Sequence, residues 1–225
     1  MTYREIINEV LRRLREDQIA ADWSGNLATA NGPSDYQKMV GEIVNDAKYE
    51  VEHYWDWQTL RVTAGVATSA GNMSYSMVGA GSDFKVLDVI DTSTGAVLKQ
   101  TSSTELNKKA FPVGSQTTGD ASQYGFNGID DNLDMVVDLW PIPDDTRQIN
   151  FNIVKPQDKL QLATTNVYVN PQSVIIGAYV RAMAERGEDG GTQVSVAMAD
   201  FQNVLSRAIQ IDAGKTQYEN DWYAN

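Results

Sequence analysis

The apolar period of this chain changes twice along its length, and that change restricts the fold more than any single motif. Up to about residue 57 apolar residues recur at helical spacing. From about 60 to 155 they fall into short runs of β type bounded by turn residues, and from Asn170 onward helical spacing returns. An all-helical or all-β chain does not alternate in this order. The expected class is therefore α+β: a four-helix bundle made by the N- and C-terminal helices, an inserted antiparallel β sandwich or barrel-like domain, and an extended C-terminal tail. The expected boundaries are 1–59 and 170–214 for the bundle, 60–169 for the β domain and 215–225 for the tail.

Start signals mark the helices. Thr2 and Glu5 form a capping box ahead of the stripe Ile6, Ile7, Val10, Leu11 and Leu14. Ser34 and Gln37 repeat the arrangement before a long helix from Asp35, whose apolar positions run through Val40, Ile43, Val44, Ala47, Val51 and Tyr54 to about Trp57. Asn170 before Pro171 signals a third helix, and Gly-Glu-Asp-Gly-Gly at 187–191 ends it. The fourth spans about Thr192 to Ala213, with Val194, Ala197, Phe201, Val204, Leu205, Ala208 and Ile209 inward.

Between the helical parts about six strands are expected: LRVTAGVAT, MSYSMV, FKVLDVID, AVLKQTS, LDMVVDLW and RQINFNIV, with a short helical turn over 103–109. Residues 112–132 are rich in Gly, Ser, Asn and Asp and read as a long exposed loop, and Pro141–Asp145 reads as a hairpin turn joining the last two strands.

Where the long helix gives way to the first strand stands Tyr54-Trp55-Asp56-Trp57. Its rings either plug the helix–strand junction, an indole N–H finding a nearby carbonyl, or form a stacking platform for a sugar or base. The plug is the expected role of Tyr54, Trp55 and Trp57, because periodicity runs through the cluster and no cationic run flanks it.

The residues of catalysis are sparse. His53 is the one histidine and cysteine is absent, so disulfides and thiolate metal sites are excluded. No nucleophile elbow accompanies His53. Asp130, Asp131, Asp134 and Asp138 do not follow calcium-loop spacing, and Asp134 and Asp138 alternate with apolar residues as solvent-facing strand positions do. Glu185, Glu188 and Asp189 fit a tight acidic turn between helices, and Gly79-Ala-Gly is too short for a dinucleotide loop. The expectation is a protein without enzymatic activity and without cofactor or metal.

Charge limits the partners. The net charge is −12, and between Ala110 and Thr146 stand seven aspartates and no lysine or arginine. A surface that grips nucleic acid needs cations for the phosphates, so this stretch suits DNA that passes without sticking. No apolar run approaches the roughly 20 residues of a membrane span, and the charged N-terminus lacks the look of a secretory signal. Beyond the last helix, Tyr218, Trp222 and Tyr223 crowd a segment without periodicity, and aromatics of this kind serve as interface anchors.

Several segments, in order, resemble the head-to-tail adaptors of short-tailed phages, the group called tail tubular protein A. They are IINEVLRRLRED, IVNDAKYEVEHYWDWQTLRVT, FKVLDVID, LWPIPDD and IIGAYVRAMAERGEDGGTQ, the last followed by a helix carrying Phe201. The resemblance implies a structural virion protein, made in the host cytoplasm and placed at the head–tail junction. It implies a ring of about twelve copies between the portal protein and the tail nozzle protein, with DNA passing through its centre. In such a ring Tyr218, Trp222 and Tyr223 are expected at the portal, and Asp130, Asp131 and Asp134 facing the channel. A carbohydrate-binding or hydrolytic module of a phage tail, built on the aromatic cluster and nearby aspartates, is the competing expectation. A regulator directed at the host has no supporting motif.

Overall fold

In chain order the elements are α1 (Tyr3–Arg13), α2 (Asp35–His53), β1 (Arg61–Ala67), β2 (Ser74–Ser76), β3 (Lys85–Asp91), β4 (Lys99–Gln100) and α3 (Ser103–Ala110). They continue with β5 (Gln123–Ile129), β6 (Met135–Trp140), β7 (Gln148–Val154), α4 (Pro171–Glu185) and α5 (Thr192–Ala213). The computed structural model describes residues 1–111, 117–187 and 191–215. It divides into a helical unit, Met1–Leu60 with Pro156 onward, and a β unit, Arg61–Lys155.

The helical unit starts where the caps indicate. Thr2 Oγ1 accepts the Glu5 amide at 3.3 Å and the Glu5 carboxylate accepts the Thr2 amide at 2.8 Å, closing the capping box. Ser34 and Gln37 repeat this on α2, and Asn170 Oδ1 accepts the Ser173 amide at 3.1 Å on α4. Tyr3, Ile6, Ile7, Val10 and Leu11 of α1 are buried, and α4 packs against α1, α2 and α5. Gly41 permits the close approach of α2 to its neighbours: a Cβ there would lie 2.2 Å from Leu27 Cδ2.

Two expectations are corrected here. Helix α2 ends at His53 rather than near Trp57. The reason is local: the Val51 carbonyl accepts the Tyr54 amide at 3.3 Å and the Trp57 indole N–H at 2.7 Å, which closes the last turn there. The chain from Pro156 to Val169, expected within the β domain, belongs to the helical unit. Its backbone is tied there: Asn45 bonds both the amide and the carbonyl of Leu160 (2.9 and 3.1 Å), Trp23 Nε1 donates to the Gln161 carbonyl at 2.8 Å, and the Tyr3 amide donates to the Thr165 carbonyl at 2.8 Å.

The β unit holds two sheets, ordered β1-β7-β3 and β2-β6-β5-β4. All pairs are antiparallel except β4 with β5. Among the described residues neither sheet closes into a barrel. Both contribute to one core, with Val66, Val89, Ile149 and Phe151 from the first, Tyr124, Val137 and Leu139 from the second, and Met77 from the residue after β2.

Three further expectations change in this unit. Residues 123–129, expected in a long loop, form β5. Tyr124 turns inward as a strand residue does, and Gly125 is there for close approach, since a Cβ would lie 2.7 Å from the Thr101 carbonyl and 2.8 Å from Leu106 Cδ1. Strands β6 and β7 are not a hairpin: they lie in different sheets, and β6 pairs with β5 and β2. Asp134 and Asp138 are not solvent-facing but 8% and 1% exposed. Asp138 accepts a hydrogen bond from the Ser74 hydroxyl on the neighbouring strand, and the Asp134 carboxylate is occupied by backbone amides.

Candidate assembly surfaces

The side chains that chemistry would need are dispersed or committed elsewhere. His53 is exposed at the end of α2, its Nδ1 at 2.8 Å from the Tyr49 carbonyl and its ring 4.1 Å from that of Tyr49. Among the described residues no group of three or more His, Asp or Glu is arranged to hold a metal ion. Charged groups in the interior do structural work. Lys48 and Glu52, one turn apart on α2 and both buried, pair at 2.9 Å, and Lys48 also donates to the Gln157 carbonyl of the returning chain. Burial pushes the Glu52 carboxyl above the usual carboxylate range, against the pull of Lys48. Sequence reading did not anticipate this pair, because Lys48 and Glu52 have the i,i+4 spacing of an ordinary solvated face.

The aromatic cluster divides by burial. Trp57 is 3% exposed with its N–H committed, Trp55 is half-buried, and Tyr54 is 54% exposed. Trp57 thus behaves as part of the helical unit's interior. Beside it lies a groove of about 230 Å³ lined by Trp57, Tyr168, Pro171, Ala208 and Ile211, with Lys215 at its edge. Tyr168 and Ile211 flank it with most of their surface in solvent. Asp212 at its floor is buried and fully engaged, accepting the Gln58 amide at 2.9 Å and the Lys215 ammonium at 3.2 Å.

The acidic turn between β5 and β6 also separates into roles. Asp131 is exposed. The Asp130 carboxylate accepts the amides of Asp134 and Asn132 at 3.0 and 2.8 Å; the Asp134 amide, then the Ser76 side chain and the Asn132 amide, hold it below the usual carboxylate range. Asp134 turns the other way: its two oxygens accept the amides of Gly79 and Gly81 at 2.9 and 2.8 Å. Asp134 therefore staples the loop after β2 to this turn, and its charge is spent on that contact. It does not present a free carboxylate to a channel.

The same staple displays residues that sequence reading passed over. Val78, Ile129 and Leu133 are 82%, 52% and 65% exposed. The available signal was an apolar residue inside a turn composed otherwise of Asp and Asn, at 130–134.

Tyr218, Trp222 and Tyr223 lie outside the described residues, as do Glu188 and Asp189. The described chain ends at Lys215, beside the groove.

What the described residues offer is apolar and charged surface for contact on both units. No helix among them is long and apolar enough to cross a membrane. No curated protein matches the chain. The family model for the SU10 adaptor protein matches residues 1–223, spanning both units. This agrees with the resemblance at the level of a phage adaptor and virion component that contacts other head–tail proteins: the chain belongs to the SU10 adaptor protein family.

Proposed function

We propose that this protein forms a ring that joins the portal to the tail nozzle, in the manner of tail tubular protein A, and encloses part of the path taken by the genome. In this reading twelve copies assemble, the four long helices act as a bundle, the two sheets act as a sandwich, and the protein catalyses nothing. The observation that carries it is the family match over nearly the whole chain. The charge supports it: an excess of carboxylates gives DNA no array of cations to bind, so a genome passes without being held. Exposed apolar side chains on both units supply contact surface. The competing glycan platform needs an accessible tryptophan pair, and Trp57 is buried with its N–H occupied.

The portal side of this ring is assigned to Tyr218, Trp222 and Tyr223, aromatic residues of the kind that anchor interfaces. Electron microscopy of the purified protein mixed with portal rings tests the assembly. The expected image is a second ring stacked on the portal, and a protein that stays unassociated with portal, or is missing from purified virions, overturns the proposal. Deleting 216–225 is expected to leave helicity and melting temperature unchanged while portal attachment fails. A truncated protein that melts lower yet still joins the portal refutes the role given to the tail.

A further inference from the structure

Helix α5 packs on α4 through one narrow buried stripe, Ala197, Phe201, Leu205, Ala208 and Asp212. Much of the rest of its surface lies in solvent. A helix face turned to water is normally charged, and α2 follows the rule: seven of its 19 residues are Asp, Glu or Lys. In α5 only Asp200, Arg207 and Asp212 of 22 residues are charged. Asp200 and Arg207 cancel, and Asp212 is buried and engaged by the Gln58 amide and Lys215. The exposed surface of α5 is therefore neutral in a chain of net charge −12.

That surface has two distinct faces. Ser195, Met198, Gln202, Ser206, Ile209 and Ala213 recur three and four residues apart, the spacing of a second helix-packing seam. The seam is free of charge, and Met198 on it is 45% exposed. The second face borders a groove of about 430 Å³ whose lining includes Arg15, Tyr179, Gln193, Val196 and Asp200, with Val196 55% exposed. Its two charges have opposite signs. At about 100° per residue, seam and groove fall on opposite sides of the buried stripe.

We propose that α5 is the joint between neighbouring copies of this chain, the seam of one copy lying in the α5 groove of the next. The inference rests on the ring reading above and names its contact surface. Charge selects the occupant. Copies that each carry twelve excess negative charges repel wherever acid meets acid. They come together at least cost where the local charge is zero and apolar side chains stand in solvent, and α5 meets both conditions. Two different faces on one helix also suit a ring: a face that pairs with itself closes a two-fold dimer, whereas a head-to-tail contact passes from copy to copy until the circle closes.

The test uses the full chain, with and without purified portal rings. Gln202 is exposed near the middle of α5. Gln202→Glu and Gln202→Lys are each expected to weaken self-association at least tenfold in sedimentation velocity, because either charge must be desolvated in the joint. Helicity by circular dichroism is expected to stay at the parent's value in both. If only the overall charge of the copies mattered, lysine would strengthen assembly, and that result overturns the inference. The chain has no cysteine, so Ser206→Cys copies mixed with Val196→Cys copies report the geometry. A short bis-maleimide is expected to link the two in the mixture and neither to itself. Ser206→Cys that links only to itself overturns the head-to-tail joint. Variants at Gln202 that assemble like the parent overturn it too, as do variants that keep self-association and lose only the portal, since another protein would then cover α5. A parent that stays monomeric both alone and on portal rings sinks the ring reading as well. A parent that assembles, with Gln202 variants that assemble equally, sinks only the α5 joint.

Discussion

Truncating Trp57 to alanine removes a ring that is 3% exposed and an N–H bonded to the Val51 carbonyl at 2.7 Å. Phe or Trp to Ala in a closed core costs about 3–5 kcal/mol. Trp57 also lines the groove beside Tyr168 and Ile211, so water can enter the vacated space and rehydrate the Val51 carbonyl. The lower end of that range, about 3 kcal/mol, is the expected loss. Trp57→Phe keeps most of the ring and isolates the hydrogen bond, for which about 1 kcal/mol is expected. Tyr54→Ala, at 54% exposure, should change stability by no more than about 0.5 kcal/mol. Urea unfolding followed by far-ultraviolet circular dichroism reads the helical unit. With a slope of roughly 1.5–2 kcal/mol per molar, the midpoint for Trp57→Ala should fall by about 1.5–2 M. A midpoint within about 0.3 M of the parent refutes the reasoning, because it means the ring contributes little to the fold. It would reopen the stacking-platform reading.

Removing the cation from the buried pair is expected to cost about 3–5 kcal/mol at neutral pH in Lys48→Met, because Glu52 keeps an uncompensated charge. The Glu52 carboxyl is raised in the folded state, so stability is full below its unfolded value, about 4.3, and is lost as pH rises through the folded value. The gap between Lys48→Met and parent should therefore shrink as pH falls toward about 4, and a gap independent of pH in calorimetry would contradict the assignment. Asp134→Ala leaves the amides of Gly79 and Gly81 without acceptors and should destabilise the β unit by about 2–3 kcal/mol, whereas Asp131→Lys should leave its melting unchanged; equal effects of the two in thermal scans would be inconsistent with the staple. Duplex DNA should show no retention by the purified protein at physiological salt in a filter or mobility-shift assay, and tight, salt-sensitive binding would count against a surface that lets the genome slide.

Local rules carried the sequence reading wherever one residue acts on its own neighbours. Thr2 with Glu5, Ser34 with Gln37, and Asn170 before Pro171 are caps within three residues of the backbone they satisfy, and the structure has each in place. The span of α5 and most of the strand segments followed from periodicity in the same way. Tertiary structure decided what depends on a partner far along the chain. Gly125 looked like a loop residue until Thr101 and Leu106 came against it, and Asp134 looked solvated until the loop at Gly79–Gly81 supplied two amides. The placement of β6 and β7 in separate sheets depends on which strands they pair with, which the turn between them does not encode. Lys48 and Glu52 carry no sequence signal of burial, because charge at i,i+4 is the normal dress of an exposed helix; the returning chain at Gln157 and Leu160 closes over that side of α2. Period and caps depend on the nearest few residues and are written in the sequence. Burial of a polar group depends on what arrives from elsewhere, and that is decided only when the chain has folded.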